Sequence, residues 1–140
     1  MRELEFLINL LNRLPEMELE INCTFLVGGR IIEGELIPAR QYYRLLGERL
    51  RRAGPFTNDA ERSVVGAMVT IFDNFAGIAF NIENPRETPS LNEEDIMDVY
   101  LQRAVIRGEK AGEEDQQLGL FHLKPLAVQG FRLGSSRSLR

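Results

Sequence analysis

The chain opens with Leu4, Leu7, Ile8, Leu11 and Leu14 at the three- and four-residue intervals that line one face of an α-helix, and Pro15 ends the pattern. The period then changes to two. Leu19, Ile21, Cys23, Phe25 and Val27 alternate with Glu18, Glu20, Asn22 and Thr24, which makes one face of an extended strand apolar and the other polar. Gly28-Gly29 interrupts the alternation and predicts a two-residue hairpin turn, because both central positions of such a turn take positive φ. Residues 30–37 read as the returning strand, and Gly34 in its middle marks a bulge or a sharp bend.

Helical spacing returns after Pro38, which suits a first helical turn. Tyr42, Tyr43, Leu46 and Leu50 form a stripe that stops before Gly54-Pro55. Asn58 and Glu61 stand at the spacing of a capping box, and Val64, Val65, Met68, Ile71, Phe72 and Phe75 follow on a second helix. Its later half, through Ile78 and Phe80, is apolar over a wide arc and is expected to be buried or covered by a partner. Residues 81–95, with Pro85 and Pro89, read as a polar loop. Extended character resumes from Ile96 to Arg107, residues 108–117 read as a mobile, charged hairpin loop, and two short strands are expected at 118–124 and 126–133, separated at Pro125.

The order is helix, two strands, two helices, three strands. It predicts an α+β fold: a small, bent five-stranded barrel of the SH3-like or Sm-like type, or the equivalent sheet, with an N-terminal helix and a two-helix insertion. Residues 1–134 form the expected domain, with the insertion at about 39–80 and a flexible tail at 135–140.

Composition narrows the chemistry. The 140 residues include one His, one Cys and no Trp, and the net charge is −4. One Cys forms no internal disulfide, and so few imidazoles and thiols leave no material for a His/Cys metal site; no metal and no cofactor are expected. No export signal is read at the N-terminus, and the apolar run 64–80 is short for a bilayer span and holds Asp73 and Asn74. A cytoplasmic protein that does not enter membranes is expected.

No catalytic residue stands out. His122 alternates with Phe121 and Leu123 and is expected at the solvent side or the rim, in a structural role. Cys23 shares the apolar face of its strand with Ile21 and Phe25 and reads as a small core residue. Glu33 with Glu35, and the run Glu113-Glu114-Asp115, read as solvated edge and loop charges. Gly28-Gly29-Arg30 lacks the Lys-Ser/Thr of a phosphate loop and the three spaced glycines of a dinucleotide fingerprint. Of the 17 basic residues 15 are Arg, and Arg40, Arg44, Arg49, Arg51 and Arg52 gather on one helix. With Phe75 on the apolar helix and Arg137 and Arg140 in the tail, they are the expected partner-binding residues. An Sm-like RNA-binding module or another protein-interaction module is the alternative, the RNA-binding reading opposed by the acidic balance and by the lack of a dedicated aromatic stacking patch among the basic residues.

The segment Val27-Gly28-Gly29-Arg30-Ile31-Ile32-Glu33-Gly34-Glu35-Leu36-Ile37, followed by Tyr42-Tyr43, resembles the gas vesicle accessory proteins of the GvpU family. Residues 99–104 resemble that family's strand after its variable middle. Val128-Gln129-Gly130-Phe131-Arg132-Leu133-Gly134 resembles its closing segment. Glu33 and Pro38 depart from the small hydroxylic residues of the family pattern. The fold-motif positions are thus Gly28, Gly29, Gly34, Tyr42, Tyr43, Gly130, Phe131 and Gly134. The resemblance implies a cytoplasmic, non-enzymatic protein associated with gas vesicles, binding shell or accessory proteins, with self-association allowed and nucleic acid not expected.

Overall fold

The computed structural model describes residues 2–13, 21–54, 58–80 and 97–134, with the backbone alone for 72–80. Helix α1 (Arg2–Arg13) precedes strands β1 (Ile21–Val27) and β2 (Arg30–Ile37). Helices α2 (Ala39–Arg52) and α3 (Asp59–Phe80) follow, then β3 (Val99–Ile106) and β4 (Gln116–Leu123), a 3-10 turn at Pro125–Ala127, and β5 (Gly130–Leu133). The expected loop at 81–95, the tail at 135–140, and Leu14, Leu19 and Ile96 lie outside the described residues. The chain divides into two compact units, one formed by residues 1–38 and 97–140 and the other by residues 39–96.

In the first unit the five strands form one antiparallel sheet in the order β4-β3-β2-β1-β5. It is an open, bent sheet with β4 and β5 at its edges, and the 3-10 turn carries the chain from one edge to the other. The expected strand at 126–133 is therefore shorter. Pro125 starts a helical turn, in which Ala127 donates to Lys124 O at 2.9 Å and Val128 to Pro125 O at 3.1 Å. Pairing with β1 resumes when Gln129 donates to Leu26 O at 2.8 Å. Gly28 and Gly29 adopt φ of +57° and +79°, the left-handed geometry that lets β1 return as β2 in the register Val27↔Arg30.

The alternation in the strands sorts their two faces. Cys23, Phe25, Ile32, Leu36, Val99, Leu101 and Leu123 share a core with Leu4, Ile8 and Leu11 of α1, and Phe25 meets Phe131 at a ring-centroid distance of 5.5 Å. Each large aliphatic side chain that α1 buries contributes about 2 kcal/mol, which ties the helix to the sheet. The opposite face carries Thr24, Glu33, Glu35 and Tyr100, all buried.

The bend predicted at Gly34 is present, but the extra residue lies across from it. Between Glu33 and Glu35 the β2–β3 register slips, pairing Glu33 with Val105 and Glu35 with Gln102, so β3 holds the bulge. Arg103 takes a φ of +52° within it. A side chain on Gly34 would meet Ala104 Cα at 3.2 Å and Leu101 Cβ at 3.3 Å. The glycine allows the bulged strand to press against β2.

In the second unit α2 packs on α3. Asn58 caps α3 through Oδ1, which accepts from the Glu61 amide at 2.7 Å, as its spacing predicts. Val64 and Met68, in the first half of α3, are exposed at 60% and 39%; the side chains of its later, apolar half, for which burial or a partner is expected, lie outside the described residues. No described helix is long and apolar enough to cross a membrane.

Gly34→Val is expected to destabilise the fold by about 2 kcal/mol, the scale of overpacking a tight site. Thermal unfolding should show a fall of several degrees in Tm, and an unchanged Tm would contradict the close approach.

Candidate interaction surfaces

The helical turn of about 100° per residue separates the five arginines of α2 into two arcs. Arg40, Arg44 and Arg51 fall on one stripe, beside the buried Tyr43 and Gly47. Arg49 and Arg52 fall on the far side, exposed, one turn apart. Arg40 and Arg51 already engage neighbours. The basic concentration seen in sequence is therefore two surfaces, of which the Arg49/Arg52 arc faces away from the helix's buried side. Tyr42 lies near that arc. Burial pushes its phenol up first, Tyr43 adds to this, and Arg49 pulls it partly back. The adjacent rings of Tyr42 and Tyr43 meet edge to face at 5.2 Å. Arg49, Arg51 and Arg52 stand in the last turn, where positive charge complements the helix dipole. The side chain of Phe75, and Arg137 and Arg140, lie outside the described side chains and residues.

The remaining motif residues shape the β1–β5 edge. Gly130 lies against Leu26, so close that a side chain there would touch its Cβ at 3.4 Å. The Gly134 amide donates to Asn22 O at 2.7 Å, and its carbonyl accepts from Thr24 Oγ1 at 2.7 Å.

Glu33 and Glu35 overturn the expectation of solvated edge charges. They project from the central strand, not from an edge, and both are buried. Arg107 clamps Glu33 through Nε at 2.8 Å and through Nη2, and its Nη1 reaches Asp115 Oδ2 at 2.6 Å. The hydrogen bond that Arg107 donates to Glu33, and after it the one to Asp115, raise the guanidinium pKa against the opposing effect of burial. Glu35 accepts from Gln102 Nε2 at 2.7 Å and from Arg103 Nη1 at 2.8 Å. Consecutive strand residues ordinarily point to opposite faces, and the left-handed φ of Arg103 brings both donors to one carboxylate.

The loop between β3 and β4, expected to be mobile, is tied down by its own acids. Asp115 Oδ1 accepts from the Gly108 amide at 2.9 Å, and Glu113 Oε2 accepts from the amides of Glu109 and Lys110, each at 3.2 Å. These carboxylates satisfy backbone donors of the turn.

A third group escaped the sequence reading. Asp98, 4% exposed, accepts at Oδ2 from His122 Nε2 and from Lys124 Nζ, both at 2.7 Å. The His122 ring stacks on Tyr100 at 4.4 Å, its cross-strand partner in the β3–β4 register. His122 is thus partly buried and structural, locking the start of β3 to the end of β4. The i, i+2 placement of His122 and Lys124 was the available signal, but their acid is set by strand register. Cys23 cannot pair with this imidazole, since it belongs to the core face with Phe121 while His122 alternates to the other. Its burial pushes the thiol up to about 12.

Among the described residues no group of three or more His, Cys, Asp or Glu side chains converges on one point. The open depression on α3, about 490 Å³ and lined by Asn58, Ala60, Glu61, Val64 and Val65, is a shallow surface feature and brings no chemistry together. Comparison with family models, curated proteins and solved structures gave no match.

Two outcomes follow from these groups. Glu33→Ala removes one of the two carboxylates that hold the half-buried Arg107 guanidinium, leaving Asp115 alone, and should destabilise the fold by about 2 kcal/mol in urea titrations; a loss below about 0.5 kcal/mol would show the pair to be solvated. The folded-state pKa of Cys23 lies above the unfolded value near 9.0. Its neutral form therefore favours folding fully below pH 9, and this contribution is lost as pH rises from 9 towards about 12. Cys23→Ala should remove that alkaline fall, and the native thiol should resist a disulfide reagent until the chain unfolds.

Proposed function

We propose that the chain is a non-catalytic accessory protein of gas vesicles, a cytoplasmic module that binds shell or assembly proteins and promotes vesicle assembly or clustering. Residues 27–37, 99–104 and 128–134, which carry the resemblance to the GvpU family, supply the β1–β2 turn and β2, most of β3, and β5 with its approach. Support for a binding role comes from the disposition of charge. Glu33, Glu35, Asp98 and Asp115 are engaged within the sheet unit by Arg103, Arg107, His122 and Lys124, whereas Arg49 and Arg52 stay exposed on α2. The first set holds strands together and the second is available for a partner. Exposed guanidinium groups suit acidic protein surfaces through forked hydrogen bonds.

Binding through that arc should be salt-sensitive. Raising the ionic strength from about 0.1 M to about 1 M contracts the screening length from ~10 Å to ~3 Å. The chain is expected to float with purified gas vesicles on centrifugation and to be released by high salt. Arg49→Glu combined with Arg52→Glu should lose less than about 1 kcal/mol of stability, the scale of helix-dipole effects, while reducing recovery with vesicles at least about fivefold. Absence of co-flotation at every salt concentration would reject the proposal. Salt-sensitive retention of RNA in its place would favour an Sm-like nucleic-acid module.

A further inference from the structure

We draw no further inference here: the strongest candidate, the exposed apolar face of α1 that carries Phe6 and Leu10, is an unpartnered helix face, and nothing in the structure shows what covers it.

Discussion

Two carboxylates on the central strand govern how this sheet is built. Glu33 and Glu35 lie on β2, with β1 on one side and β3 on the other, away from the solvent that an edge strand would reach. An acid in that position is tolerated only if its charge is met by donors held in place. Here the donors come from β3. Arg107 meets Glu33, and Gln102 with Arg103 meets Glu35. The β3 bulge is what lets two consecutive residues reach one carboxylate, and the bulge in turn needs Gly34 opposite it. Sheet curvature, register and charge neutralisation are therefore one arrangement seen from three sides.

The same logic extends outward. Arg107 also holds Asp115, whose second oxygen fixes the start of the β3–β4 loop. At the other end of the same pair of strands, Asp98 gathers His122 and Lys124. The β3–β4 hairpin is thus fastened at both ends by buried or half-buried acids and along its length by the ladder. Pairs of this kind contribute less net stability than apolar replacements of the same volume would, but breaking one partner is expensive. Their effect is to specify register: a slip of one residue would leave several charges buried and unmet.

This division of charge bears on the proposed role. Ionisable side chains committed to the sheet are held by their neighbours, whereas Arg49 and Arg52 stay exposed on α2 and are the side chains proposed to meet a partner. The imidazole and the thiol are engaged elsewhere, His122 on Asp98 and Cys23 in the core of the sheet.

Much of the architecture is legible along the chain because it arises from local physics. The helical spacing of α1, the alternation of β1, the Gly28-Gly29 turn and the Asn58 cap each depend on residues within a few positions of one another. They appear where side-chain period and turn chemistry place them. Even the bend near Gly34 is announced by a missing Cβ. The non-local features are different. Whether Glu33 and Glu35 face water or a neighbour depends on β2 being central, and that is decided by β3, some seventy residues downstream, which pairs with it. Which acid holds His122, which strand carries the bulge, and how Pro125 starts a 3-10 turn between two sheet edges are set by strand order and register. Those are properties of the closed network of backbone hydrogen bonds, to which each strand contributes only half. Composition established a chain poor in thiols and imidazoles, with basic charge carried by arginine. Tertiary structure decided which of those arginines are spent on buried acids and which remain at the surface, because only folding brings distant charges within reach of one another.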